Sequence, residues 1–150
     1  MKKGKYLITG CAGFIGSNLV KNLYKNYDLI LVDDLSEGSI KNIPRVLRNK
    51  VIKKKIQNIK KLNTKKLDGI FHLAAQVSVP LSLKNFYKST SNNLLSSIKV
   101  FEFSKKYSAP VVYASSSAVY GDLELGNDDT EKFSILSPYA QDKLVVENYA

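Results

Sequence analysis

The chain has little cysteine, little arginine and no long apolar run. One cysteine, Cys11, stands alone, so an internal disulfide is excluded and a reducing, cytoplasmic setting is expected. No apolar run approaches the roughly 18 residues of a membrane-spanning helix, so no membrane association is expected. The basic start Met1-Lys2-Lys3-Gly4-Lys5 resembles the front of a signal peptide, but the apolar run behind it is short and broken by glycine. Arginine occurs only at Arg45 and Arg48.

Basic charge is nevertheless abundant: 23 Lys and Arg against 13 Asp and Glu give a formal charge of +10. It is densest at Lys53-Lys54-Lys55, Lys60-Lys61 and Lys65-Lys66. A nucleic-acid surface would be better served by arginines with interleaved aromatics, which this region lacks. A solvated lysine face is the simpler reading, and it could still draw in an anionic nucleotide. With 150 residues and 44% apolar composition, one soluble domain with a full core is expected.

Apolar runs alternate with helical stretches. Strands are expected over 5–9, 28–32, 51–56, 69–73 and 110–115, and helices over 14–25, 42–48, 59–65, 87–107 and 138–150. The alternation argues for an α/β fold, a doubly wound parallel sheet with helices on both faces. Right-handed crossovers give the strand order 3-2-1-4-5. The first, second, fourth and fifth strands are near-continuous apolar runs, as for strands buried on both sides. The lysine-rich third suits an edge. The polar stretch 121–131 is the longest loop expected.

Between the first strand and the first helix lies Thr9-Gly10-Cys11-Ala12-Gly13-Phe14-Ile15-Gly16. Gly10, Gly13 and Gly16 would let the backbone turn tightly and expose the first helical N–H groups to an anion. The spacing is G-x-x-G-x-x-G rather than the commonest dinucleotide pattern, and a tight turn without a ligand is the plainer alternative. Asp33 follows the second apolar run, twenty-three residues after Gly10, near the distance at which a carboxylate meets an adenosine ribose. Its charge would repel a 2′-phosphate, so NAD is favoured over NADP. Asp34 is either a second such contact or a turn residue.

Two further groups carry chemistry. Ser137-Pro138 is a helix start, and it places Tyr139 and Lys143 one turn apart on a single helix face. An ammonium beside a tyrosine favours the ionised phenol, which suits proton transfer near neutral pH. A solvent-exposed pair of no consequence has the same spacing. Val111-Val112-Tyr113-Ala114 runs into Ser115-Ser116-Ser117, a strand emptying into hydroxyls where ligands of open parallel sheets sit. These serines either form a turn or orient a substrate hydroxyl.

Taken together, the chain resembles the extended short-chain dehydrogenases/reductases, in the NAD-dependent epimerase/dehydratase branch that acts on nucleotide sugars. The matching pieces are T-G-C-A-G-F-I-G at 9–16, V-D-D-L-S-E-G at 32–38, H-L-A-A-Q at 72–76, S-S-S-A-V-Y-G at 115–121 and S-P-Y-A-Q-D-K at 137–143. The resemblance implies a Rossmann-like NAD site. Gly10, Gly13 and Gly16 would hold the pyrophosphate with Phe14 and Ile15 as backbone donors, and Asp33 the ribose, with Asp34 beside it. Leu35, Ser36 and Gly38 would form the next cofactor loop. Asn58 and Ile59 would meet the adenine, the Asn standing where the family usually has Asp. Leu73, Ala74 and Ala75 would underlie the pyrophosphate and nicotinamide ribose, and Asn93 would shape the site from the long helix. Ser116, Tyr139 and Lys143 match the catalytic set, the last two also touching cofactor. Ser78, Ser116 and Ser117 fall on the substrate side, and no metal is implied.

The family's dehydratases carry an Asp-Glu pair after the catalytic hydroxyl residue, where this chain has Ser117-Ala118. The remaining pattern is similar to nucleotide-sugar 4-epimerases of the UDP-hexose class. The implied reaction is transient oxidation at sugar C4, with Tyr139 taking the hydroxyl proton, Ser116 holding the oxygen and Lys143 keeping Tyr139 ionised. Such enzymes are about twice this length and usually dimerise through two long helices per subunit. Residues 1–150 are therefore expected to form an NAD-binding domain that stops before the last strands and the sugar-gripping domain. A catalytically silent NAD-binding module, or a dehydratase or reductase of the same family, is the alternative.

Overall fold

The structure, a computed structural model, describes residues 4–122 and 133–150. Five strands, β1 (Lys5–Thr9), β2 (Asp28–Val32), β3 (Val51–Ile52), β4 (Gly69–His72) and β5 (Val111–Tyr113), pair in parallel in the order β3-β2-β1-β4-β5. Leu7 stands opposite Ile30 on one side and Ile70 on the other. This is the Rossmann-like order that right-handed crossovers predict.

The period of two along β1 sends neighbours into different cores. Leu7 joins Val32, Ile70, Leu62, Val100 and Phe103 on one face of the sheet, whereas Ile8 joins Leu31, Val20, Ile43 and Val51 on the other. Both are inaccessible to solvent. At the sheet's end the pattern relaxes, and Val112 of β5 is 59% exposed, so this strand is not covered on both faces as its apolar run suggests.

Among the described residues three α-helices follow the pattern, and the departures from it have local causes. α1 (Phe14–Leu23), α3 (Phe86–Tyr107) and α4 (Pro138–Tyr149) match expectation closely. The helix expected over 42–48 is two 3₁₀ turns, Ile40–Asn42 and Arg45–Lys50. Pro44 interrupts it, because the residue before a proline avoids the helical region, and Ile43 is extended at φ −83°, ψ 138°. The helix expected over 59–65 does not form, and only Ile56–Asn58 makes a 3₁₀ turn. Ile59, Leu62 and Leu67 are all drawn into the core, while Thr64 Oγ1 bonds to the backbone of Lys66 in a local turn. A short helix that the apolar pattern hides, α2 (Val79–Lys84), starts on Ser78, whose hydroxyl accepts from the Leu81 N–H at 3.2 Å.

The chain divides into two compact units, residues 1–75 with 96–114 and residues 76–95 with 115–150. The sheet and both clusters belong to the first. In the second, α2 and a 3₁₀ turn at Ser117–Val119 both pack on α4. Residues 123–131 of the expected polar loop lie outside the described residues.

Leu7→Ala should lower the unfolding free energy by about 2–5 kcal/mol, because the cavity forms in a closed core. Val112→Ala should stay within about 0.5 kcal/mol. Urea unfolding followed by circular dichroism checks both.

Candidate active site

In the first unit the glycine turn is fixed by close backbone approaches. Gly10 has φ +68°, and a Cβ there would lie 2.6 Å from the Leu73 carbonyl carbon and the Ala74 nitrogen. A Cβ on Gly16 would lie 2.1 Å from the Gly10 oxygen. Neither position admits a side chain. Gly13 differs, since its Cβ would meet nothing nearer than the Gly10 oxygen at 3.4 Å. It caps α1 without a side-chain bond, and the next residues, Phe14 and Ile15, are exposed.

Asp33, at the end of β2, ties this turn to the following loop. Its Oδ2 accepts the Ala12 N–H and its Oδ1 the Leu35 N–H, both at 2.8 Å. That bond holds Leu35 at φ 60°, a left-handed conformation disfavoured for leucine. The Ala12 carbonyl accepts from the Ser39 N–H and from Asn42 Nδ2, and a Cβ on Gly38 would strike the same Ala12 backbone at 2.8 Å. Asp34 is exposed, and its Oδ1 accepts the N–H and hydroxyl of Ser36, so it closes a turn. Asn58 is exposed in its 3₁₀ turn, while Ile59 is buried in the core.

The single histidine supports the same end of the sheet. His72 is buried, with Nδ1 at 2.7 Å from Thr9 Oγ1 and Nε2 at 3.0 Å from Ser97 Oγ. Thr9 Oγ1 in turn accepts the Ala74 N–H at 3.3 Å, fixing the Leu73-Ala74-Ala75 segment against Gly10.

The second unit brings the expected reacting groups onto one scaffold. Ser137 caps α4 by accepting the Ala140 N–H at 3.1 Å, and Ser82 of α2 accepts the Tyr139 N–H at 3.3 Å. Tyr139 and Lys143 are both buried, with Lys143 Nζ 5.9 Å from the centroid of the tyrosine ring. Burial pushes the Lys143 amine below the ordinary lysine range, and the neighbouring Asp142 carboxylate opposes that shift. Ser116 caps the 3₁₀ turn that packs on α4, its Oγ accepting the Ala118 N–H at 3.1 Å. Ser115, which bonds Glu147 of α4, and Ser117 are exposed. Ser78 lies at the surface as the α2 cap.

A buried network that sequence reasoning did not assign surrounds Asn93. Its Oδ1 accepts the Gln76 N–H at 2.8 Å, and its Nδ2 donates to the Gln76 carbonyl at 3.2 Å and to Asp142 Oδ2 at 3.4 Å. Ser89 donates to Gln76 Oε1, and Thr90 to Asp142 Oδ1 at 2.9 Å. The signal that could have found it is the small polar stripe Ser89, Asn93 and Ser97, spaced four apart on α3 and buried.

These features fit a dinucleotide. Gly13 leaves the start of α1 open where backbone N–H groups can meet a pyrophosphate, and each Asp33 oxygen accepts one N–H with a lone pair remaining for a ribose hydroxyl.

The profile of the NAD dependent epimerase/dehydratase family matches residues 6–150, and the chain belongs to that family. It is 39% identical over 154 residues to a Methanocaldococcus jannaschii protein whose name gives UDP-glucose 4-epimerase as a provisional activity; the match covers 95% of this chain and 48% of that protein. It is similar in structure to the UDP-N-acetylglucosamine 4-epimerase of Methanobrevibacter ruminantium M1 in complex with UDP-N-acetylmuramic acid. That match has a TM-score of 0.90 and 34% identity, and covers 99% of this chain and 50% of the other. The Thermus thermophilus UDP-glucose 4-epimerase in complex with NAD matches with a TM-score of 0.82 at 27% identity, over 97% of this chain and 49% of the other. The chain thus spans about half the length of the relatives it matches. No described helix is long and apolar enough to cross a membrane.

Cys11 gives a check on the closure of the turn. It is fully buried, and burial followed by the Asp33 charge pushes its thiol up to about 12. The folded state therefore keeps this proton longer than the unfolded state, and its contribution to stability is lost as pH rises from about 9 towards 12. Cys11→Ala should lack that loss in urea titrations at pH 8 and pH 11. The native thiol should resist Ellman's reagent until urea unfolds the chain; fast labelling of folded protein contradicts a closed turn.

Proposed function

We propose that this chain is the NAD-binding part of a nucleotide-sugar 4-epimerase of the UDP-hexose type. The observation that supports this reading most directly is the buried Tyr139–Lys143 pair on a helix packed against the Ser116 turn. NAD, when bound, supplies the acceptor and donor of a hydride. Gly10, Gly13, Gly16, Phe14 and Ile15 are the proposed pyrophosphate contacts and Asp33 the ribose contact. Leu35, Ser36, Gly38, Asn58, Leu73, Ala74 and Ala75 are proposed to line the remainder of the cofactor.

The chain's own residues then do the acid–base work at sugar C4. Tyr139 removes the hydroxyl proton and later returns it, acting as general base and then general acid. Ser116 bonds the same oxygen and fixes its distance from Tyr139. Lys143 stabilises the ionised phenol across the turn that separates them. Ser117-Ala118 leaves no carboxylate directly after Ser116 to drive elimination of water, which favours epimerisation over dehydration.

Two outcomes are expected. Titration calorimetry of the chain should give tighter binding of NAD⁺ than of NADP⁺, and Asp33→Asn should narrow the difference; equal affinities in the native chain would remove Asp33 from this role. In the complete gene product, Tyr139→Phe should cut epimerisation of UDP-glucose by about 10²-fold or more while NAD⁺ still binds. Retained turnover would exclude Tyr139 as the base.

A further inference from the structure

His72 has no part in the reaction described above, yet it is the chain's one histidine, 5% exposed, at the carboxyl end of β4. Its two ring nitrogens reach different elements of the first unit. Nδ1 lies 2.7 Å from Thr9 Oγ1 at the end of β1, and Nε2 lies 3.0 Å from Ser97 Oγ on α3. Proton counting decides how these contacts run. A threonine hydroxyl has one proton and two lone pairs, and a neutral imidazole has one N–H and one bare nitrogen. Thr9 is inaccessible to solvent, and among the described residues its hydroxyl has two partners, the Ala74 N–H at 3.3 Å and His72 Nδ1. The Ala74 N–H can only donate, so the Thr9 proton has one acceptor, Nδ1. A proton on Nδ1 would instead fill both Oγ1 lone pairs and strand the hydroxyl proton in a closed interior, which is costly. With Nδ1 bare, the imidazole proton sits on Nε2 and is directed at Ser97 Oγ. A serine inside a helix can give its own proton to a carbonyl one turn back, which leaves its oxygen to accept.

We propose that His72 is a positioning residue, held as the Nε2–H tautomer between Ser97 and Thr9, that takes the Thr9 hydroxyl proton and so turns an Oγ1 lone pair onto the Ala74 N–H. The Leu73 N–H donates to the Thr9 carbonyl at 3.1 Å, so Thr9 grips two successive N–H groups. These two bonds hold the segment after β4 close enough to exclude a Cβ on Gly10. Without an acceptor at Nδ1 the hydroxyl rotates and the Ala74 bond loses its fixed direction. The consequence for NAD binding rests on the reading of Leu73, Ala74 and Ala75 as cofactor contacts; the tautomer and the Ala74 bond do not.

The test is NMR of this chain near neutral pH, where a single histidine leaves the long-range ¹H–¹⁵N spectrum free of overlap. It should show Nε2 protonated and Nδ1 bare, with the Thr9 hydroxyl proton protected from exchange. A proton on Nδ1, in the other tautomer or in an imidazolium, overturns the proposal, and this measurement needs no variant to fold. The positioning role is read from amide exchange. His72→Leu should speed Ala74 exchange by about tenfold or more relative to the Ile8 amide, whereas a merely structural loss would speed both alike. His72→Asn, whose amide oxygen can replace Nδ1 as acceptor, should restore much of the protection. Thr9→Val should expose the Ala74 amide in the same way, and Thr9→Ser should not. Unchanged relative exchange in folded His72→Leu or Thr9→Val overturns the role. In titration calorimetry His72→Leu should weaken NAD⁺ binding about 5-fold or more. Faster Ala74 exchange with unchanged NAD⁺ affinity would count against the 73–75 segment as a cofactor contact and leave the positioning of Ala74 standing.

Discussion

The close approach of Gly10 to the end of β4 is the constraint on which the first unit depends. The Gly10 N–H donates to the Val32 carbonyl at 2.9 Å, while its missing Cβ leaves room for the Leu73 and Ala74 backbone. Three strand ends are thereby gathered at one point. Gly16 then seats α1 on the Gly10 carbonyl, and Asp33 draws Ala12 and Leu35 inward. Any side chain at Gly10 or Gly16 would push these elements apart. The open position at Gly13 is the exception, and it is the part of the turn that a phosphate group can reach.

The second unit solves a different problem, the burial of charge and hydroxyl groups without a large apolar core. Ser89, Asn93, Gln76 and Thr90 join Asp142 in a continuous set, and Ser82 separately accepts the Tyr139 N–H. Such networks are favourable only when nearly every member is bonded, and they then specify one arrangement of their helices. Burial on this scaffold pushes the Lys143 amine below the ordinary lysine range, and the neighbouring Asp142 carboxylate opposes that shift.

Much of the fold was legible in the residues because strong local signals agreed with the global pattern. β1 and β2 are apolar runs bounded by Gly4, Gly10 and a turn at Lys25 to Tyr27, and their extents matched. The 42–48 segment misled because leucine and arginine favour helix while Pro44 interrupts it. Its neighbour at 59–65 misled because Ile59 and Leu62, three apart, mimic a helical face yet are buried in the core without forming a helix. α2 was hidden because Pro80 reads as a breaker, although it sits in a first turn where its missing N–H costs nothing. Of the candidate site, the glycine turn and the Tyr139–Lys143 helix were legible only in company, since each spacing alone also fits a ligand-free turn or an exposed pair. Asp142 was not, since its contacts with α3 join residues about fifty positions apart, and only the polar stripe on α3 leaves a local trace of them.

The central claim is that Tyr139, Lys143 and Ser116 manage a proton while a hydride leaves and returns to the same sugar carbon. The direct measurement uses the complete gene product and UDP-glucose deuterated at C4, in ordinary water, with the product read by mass spectrometry and proton NMR. The account predicts a 4-epimer that retains deuterium at C4. Deuterium lost to solvent, or found at another carbon, would contradict it.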